Sequence, residues 1–176
     1  MKSSALAAGR AEAEATVVLA AGDFHFGGGR TRISTLLGSC VSITLWHPSL
    51  RIGGMCHYMM TERAGAPETP PDGRYAAEAF ALFLQHVAAA GTKPGEYQAK
   101  LFGGANMFAG EPGGRMAIGE RNLDYAHRFI KAQHIALVAE HVGGSGRRKL
   151  HFDLWSGDVW LAFPEGAGAK TRSSHG

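Results

Sequence analysis

A chain of 176 residues with 45% hydrophobic side chains is long enough for one domain with a real core. Its charge is mild and scattered, a formal net +3 with a pI of about 9.0, which excludes an electrostatically driven nucleic-acid binder. No apolar run approaches the roughly 18 residues that span a membrane. The Ala-rich start, broken by Arg10, Glu12 and Glu14, lacks the apolar core of a secretory signal. Two cysteines, Cys40 and Cys56, cannot build a disulfide framework, so a reduced, cytoplasmic protein is expected.

Residues 1–15 read as a poorly ordered extension, 16–163 as a single catalytic domain and 164–176 as a disordered tail. Thr16 to Ala20 reads as a first strand. Gly27-Gly28-Gly29 breaks the chain, and Thr31 to Leu37 reads as the next strand. Cys40 to Trp46 follows a Gly38-Ser39 turn: Val41, Ile43 and Leu45 share one face, Ser42 and Thr44 the other, as in a half-buried strand. After His47-Pro48-Ser49, Arg51 to Met60 reads as a strand that can pair back as a hairpin.

Thr61 to Gly73, with Pro67, Pro70 and Pro71, is a long loop of the kind that often covers or binds something. Arg74 to Ala90 is the clearest helix, with Ala76, Ala79, Phe80, Phe83 and Val87 in one apolar stripe and Gly91 as its stop. Tyr97 to Phe102 reads as a strand, Ala105 to Gly119 as irregular, Glu120 to Ala132 as a second helix and Ile135 to His141 as a strand. Lys149 to Leu154 and Val159 to Phe163 form a closing hairpin. The basic run Arg147-Arg148-Lys149 reads as a solvated turn. Strands at both ends with helices between them predict an α+β fold, two main helices packed on a sheet or sandwich.

Cys40 is the candidate nucleophile. The small Gly38 and Ser39 before it expose the sulfur, and the backbone N–H groups of Ser39 and Cys40 are candidates for an oxyanion hole. A thiol attacks as thiolate and needs a base. His57, seventeen residues on, alternates with Met55 and Met59 on a strand face opposite Cys56 and Tyr58, and is the candidate base. Ser34 and Thr35 are both placed to orient its imidazole, and no acid nearby in sequence is. Metal binding is not indicated: Cys56 and His57 point to opposite faces, and no C-x-x-C or H-x-x-x-H spacing occurs. Phe102-Gly103-Gly104-Ala105 matches neither a phosphate loop nor a dinucleotide fingerprint. Gly104 and Gly144, in paired glycine segments, are candidates to line a substrate groove.

Gly38-Ser39-Cys40-Val41, Gly53-Gly54-Met55 with His57, Gly103-Gly104-Ala105-Asn106-Met107-Phe108, Gly119-Glu120-Arg121-Asn122, and Gly143-Gly144 with Gly146-Arg147 run in order through the chain. Together they resemble the chemoreceptor glutamine deamidases, the CheD family. The resemblance implies a protein-glutamine glutaminase, a hydrolase of chemotaxis adaptation. Its substrate would be the cytoplasmic domain of methyl-accepting chemoreceptors, whose glutamine side chains it would convert to glutamate with release of ammonia. Some members are also credited with receptor methylester hydrolysis. The resemblance maps the thiol nucleophile onto Cys40, the His onto His57 and the hydroxyl residue that positions it onto Ser34. It implies no cofactor, an α/β sandwich shared with glutamine-deamidating toxins, and in some members a CheC-type phosphatase as partner. Met60-Thr61 stands where the family often has Leu-Pro, and His141 where it often has Asp. Two other readings stand beside this one: a non-catalytic adaptor docking on a phosphatase or receptor, and a thiol amidohydrolase of another substrate.

Overall fold

The computed structural model describes residues 12–67, 69–107 and 116–164. The predicted N-terminal extension up to residue 11 and the tail from residue 165 lie outside these, as does much of the stretch read as irregular before the second helix. In chain order the described elements are β1 (Ala15–Leu19), β2 (Phe24–Gly28), β3 (Thr31–Leu37), β4 (Val41–His47) and β5 (Ile52–Cys56). They continue with α1 (Ala76–Ala89), a short 3-10 turn (Pro94–Glu96), β6 (Gln98–Gly103), α2 (Met116–Ala132), β7 (Ala136–Val142), β8 (Arg148–Asp153) and β9 (Val159–Ala162).

The strands form two mixed sheets, four strands in the order β1-β3-β8-β9 and five in the order β2-β5-β4-β6-β7. Alternation along each strand divides the core into two layers. Ile33 and Leu37 of β3, Leu150 and Phe152 of β8, Met55 of β5 and Phe102 of β6 pack between the two sheets. Val41, Ile43 and Leu45 of β4, with Ala99 and Leu101 of β6, pack on the other side against Ala79, Phe80, Phe83 and Val87 of α1 and Ala126 and Ile130 of α2. The molecule is therefore a three-layer sandwich: four-stranded sheet, five-stranded sheet, helices. Burying a side chain the size of Phe80 or Phe83 contributes about 2–3 kcal/mol, so the stripe on α1 alone fixes the helix layer to the sheet.

Three expectations change. The strand β4 is not half-buried, because the second sheet covers its polar face and leaves Ser42 and Thr44 at 0% and 1% exposure. Ser42 meets its burial by donating its hydroxyl to the Cys56 carbonyl. The stretch Phe24–Gly28, ending in the glycines read as a break, is a strand. And α2 begins at Met116, ahead of the predicted Glu120.

Helix α1 has no side-chain cap; its first N–H groups donate instead to the carbonyls of Met60 and Thr61. The loop before it is tied down by charge. Arg63 donates to Glu78 at 2.5 Å and to Asp72 at 3.2 Å, and the Asp72 N–H donates to Glu78 at 2.6 Å. No helix among the described residues is long and apolar enough to cross a membrane.

Candidate functional site

The thiol sits where two strands of different sheets end together. Strand β3 runs to Leu37, the chain turns through Gly38, Ser39 and Cys40, and β4 starts at Val41. Cys40 is half-buried and packs against the cluster between the sheets. Its carbonyl accepts from the Gly104 N–H at 2.9 Å, and the Gly38 carbonyl accepts from the Ala105 N–H at 3.1 Å. The end of β6 thus clamps both ends of the turn. Gly103, at φ +106°, lies against this clamp: a Cβ there would stand 2.1 Å from the Cys40 carbonyl oxygen, so no other residue fits. Among the described residues no backbone acceptor pairs with the Ser39 or Cys40 N–H.

The hairpin register then places the imidazole. Thr44 pairs with Met55 and Val41 with Tyr58, so Ser42 stands across from His57 and Cys40 across from Met59. Cys40 and His57 are diagonal neighbours on one face, at a separation of about 7–8 Å between α carbons in such a pair. His57 is 5% exposed. Its N–H donates to the Asp23 carbonyl at 3.2 Å and its carbonyl accepts from Gly22 at 2.7 Å, so the turn between β1 and β2 holds it from one side. Helix α2 holds its neighbours from the other: Tyr58 donates its hydroxyl to the Asn122 carbonyl at 2.7 Å, and the Asn122 amide donates to the Met59 carbonyl at 2.8 Å.

The hydroxyl on the imidazole belongs to Thr35, whose Oγ1 lies 2.8 Å from His57 Nδ1. Ser34, expected in that role, points the other way and lies 2.6 Å from His151 Nδ1. Neighbouring residues of a strand face opposite sides, and on β3 the side between the sheets carries Ile33, Thr35 and Leu37. Thr35 Oγ1 also donates to the Leu19 carbonyl at 2.8 Å. A hydroxyl has one proton and a carbonyl oxygen only accepts, so that proton is committed to Leu19. The Nδ1 of His57 must then be the donor to Thr35. The tautomer that follows from this hydrogen-bond network carries its proton on Nδ1 and leaves the Nε2 lone pair free as a base.

Burial acts on both partners in the direction of neutrality. It pushes the Cys40 thiol above the ordinary thiol value and the His57 imidazole below the ordinary imidazole value. The Asp23 carboxylate works against the second effect and raises His57. Asp23 is the acid that sequence proximity did not offer; it lies thirty-four residues before His57 and arrives through the turn between β1 and β2. Cys56 is separated from all of this in the helix-side core, fully buried, its thiol pushed up to about 12 by burial.

The two candidate groove glycines sit differently. Gly104 faces α2: a Cβ there would come within 2.7 Å of Leu123, so its small size serves packing. Gly144 is exposed, with open space beside it, and its carbonyl accepts from the Asn106 N–H at 2.8 Å. Both belong to the framework around the Cys40 turn. The basic run is also not wholly solvated. Arg147 and Lys149 are exposed, but Arg148 is 3% exposed, because alternation on β8 turns it to the side that faces the second sheet. Among the described residues no group of three or more His, Cys, Asp or Glu side chains is gathered to hold a metal ion.

A family model described as CheD chemotactic sensory transduction matches residues 59–163, well over half of the chain. The matches to individual proteins extend further. A probable chemoreceptor glutamine deamidase CheD 3 of Dechloromonas aromatica (strain RCB) is 69% identical over 160 residues, 91% of this chain and 94% of its own. A probable chemoreceptor glutamine deamidase CheD of Pseudomonas savastanoi pv. phaseolicola is 44% identical over 152 residues, 84% of each chain. A probable chemoreceptor glutamine deamidase CheD 1 of Leptospira interrogans is 38% identical, over 82% of this chain and 90% of its own.

Proposed function

The chain belongs to the CheD family, and from that premise we propose that it is a protein-glutamine glutaminase of chemotaxis, converting glutamine side chains of chemoreceptor cytoplasmic domains to glutamate. The observation that carries the chemistry is the proton accounting at Thr35, which leaves the His57 Nε2 basic on the face that Cys40 shares. Relatives named as glutamine deamidases over nearly the whole chain support the substrate class.

The steps follow from the residues. The resting pair is neutral thiol and neutral imidazole. His57 Nε2 takes the Cys40 proton as the sulfur attacks the side-chain amide carbon of glutamine, and a C–S bond forms. The carbonyl oxygen becomes an oxyanion held by the Ser39 and Cys40 N–H groups; each such donor is worth about 3 kcal/mol in related acyl transfers. His57 returns the proton to the amide nitrogen, the C–N bond breaks and ammonia leaves a thioester. Water then gives a proton to His57 and attacks the thioester carbon. The C–S bond breaks, the sulfur regains its proton and glutamate is released.

Thr35 is the positioning hydroxyl in this reading. The Asp23 charge favours the imidazolium that forms in each half-reaction. Work on the cytoplasmic face of the membrane follows from the substrate proposed, and a CheC-type phosphatase as a second partner rests on family membership.

The test is mass spectrometry of a purified chemoreceptor cytoplasmic domain after incubation with the protein. Conversion of glutamine to glutamate by the intact chain and not by Cys40→Ala is expected. No conversion by either would favour the adaptor reading and set the enzyme aside.

A further inference from the structure

Arg148 is the one buried side chain among the described residues with an unpartnered polar atom: its Nε has no acceptor. It is 3% exposed, and its hydrogen bonds all go to one place. One terminal nitrogen donates to the His141 carbonyl and, at 3.0 Å, to His141 Nδ1; the other donates to the Gly143 carbonyl. No carboxylate among the described residues pairs with it, and burial with no neighbouring anion pushes its pKa below the ordinary arginine value. A buried guanidinium without a counter-charge is destabilising, so a fold that needed only a filler would be better served by an apolar side chain.

What the cost secures can be traced bond by bond. Arg148 opens β8 and pairs with Leu37, the last residue of β3, where the chain leaves for Gly38, Ser39 and Cys40. Its side chain crosses from that sheet to the turn after β7 in the other. The turn it grips is bonded to the end of β6, Gly143 N–H to the Gly103 carbonyl at 2.9 Å and Asn106 N–H to the Gly144 carbonyl at 2.8 Å. The end of β6 in turn holds the Cys40 and Gly38 carbonyls through Gly104 and Ala105. The guanidinium thus closes a ring of bonds whose other end is the thiol turn.

We propose that Arg148 is a positioning residue of this site: its guanidinium clamps the Gly143–Gly144 turn and, through the 103–106 segment, holds the Ser39 and Cys40 amides at the angle the oxyanion requires. This rests on the reading of Cys40 as nucleophile. The clamp depends on the planar fork that serves several acceptors at once, not on charge alone, so lysine does not replace it.

The test uses the full chain with a purified chemoreceptor cytoplasmic domain and reads kcat, KM, melting temperature and the rate of Cys40 alkylation by iodoacetamide, which needs no oxyanion donors. Arg148→Lys should lower kcat about 10- to 100-fold, the scale of a misplacement of about 1 Å, with KM within about twofold and alkylation unchanged. Arg148→Met, which keeps much of the volume and removes both the charge and the fork, should keep the melting temperature or raise it and lower kcat at least as far. Wild-type kcat in Arg148→Lys would overturn the proposal. So would a rise in KM alone, which would put Arg148 on the substrate, or a parallel fall in alkylation, which would make it an activator of the thiol. Wild-type kcat in a folded Arg148→Met would overturn it as well, and this arm decides the question if Arg148→Lys does not fold. Activity surviving in Cys40→Ala would remove the reading on which the proposal rests, whatever Arg148 does.

Discussion

Strand β3 carries two hydroxyl–imidazole pairs back to back. On one face Thr35 meets His57 Nδ1 at 2.8 Å; on the other Ser34 meets His151 Nδ1 at 2.6 Å. By distance alone the second pair is the tighter. The differences lie around them. The Thr35 pair sits between the sheets on the face that Cys40 shares, with the proton of its hydroxyl committed to Leu19. The Ser34 pair sits on the outer face of the four-stranded sheet. The chain has two cysteines, and neither is on that face: Cys40 turns inward and Cys56 lies in the helix-side core. A hydroxyl beside an imidazole becomes a candidate catalytic element through the nucleophile next to it and the proton count that sets its tautomer, not through a short contact.

That contrast is broken most completely by removing the nucleophile. Cys40→Ala should lower receptor deamidation by on the order of 10⁴-fold or more, while the Cys56→Ala variant, measured in the same assay, should keep kcat within about threefold. The Cys56 change removes a buried sulfur and should appear as a loss of stability in denaturant unfolding instead, about 1–2 kcal/mol. A Cys40→Ala protein that still turned over at a tenth of the wild-type rate would end the covalent scheme.

The next largest effect separates the two hydroxyls. Thr35→Val keeps the shape and removes the acceptor for Nδ1–H, so the imidazole can turn or change tautomer. A fall in kcat of about 10- to 100-fold is expected, with a stability loss of about 1–3 kcal/mol from the unpaired groups left inside. Steady-state kinetics and denaturant unfolding read the two separately, and an unchanged kcat would deny Thr35 its role.

The sequence makes Thr35 and Ser34 equal candidates because alternation says that neighbours face opposite ways but not which way is in. A signal was present: Ile33 and Leu37 lie on the Thr35 side, with 0% exposure each, whereas Leu36 shares the Ser34 side at 44%. Helix α1 was legible almost to its ends because its stripe is local. Strand β2 was not, because Gly27 and Gly28 look like a break until their partners are known. They lie opposite Gly53 and Ile52 of β5, and a Cβ on the adjacent Gly54 would approach the His25 carbonyl to 2.4 Å, so glycines on both strands allow the close approach. Arg148 and Asp23 were illegible for the same reason. Each acquires its role from a long-range pairing, Arg148 through the register of β8 on β3 and Asp23 through the turn that holds His57.

The pH profile tests the protonation states in this comparison. Burial lowers His57 and raises Cys40, so the neutral pair should persist over a wide range. The kcat/KM profile should be a broad bell, with its acidic limb below the ordinary imidazole value of about 6.5 and its alkaline limb above the ordinary thiol value. These limbs belong to the pair rather than to either residue alone. Because Asp23 raises His57, Asp23→Asn should move the acidic limb further down and lower the plateau by about two- to fivefold as the imidazolium loses its support. An acidic limb that stayed in place would remove Asp23 from the site.

The smallest expected effect is at Ser34, and it is the most pointed because family resemblance assigns that position the positioning role. Ser34→Ala deletes the contact with His151 on the outer face and leaves Thr35, Leu19 and His57 untouched. Deamidation should stay within about twofold of wild type, with unfolding free energy lower by about 1 kcal/mol, the usual worth of one such bond. The double variant Ser34→Ala with Thr35→Val should then match Thr35→Val alone in kcat, because residues on opposite faces with no shared partner act independently. If Ser34→Ala instead fell as far as Thr35→Val, the strand would have to present its other face to His57 during turnover. A one-residue slip of β3 would do that, at the cost of turning Ile33 and Leu37 out of the core between the sheets.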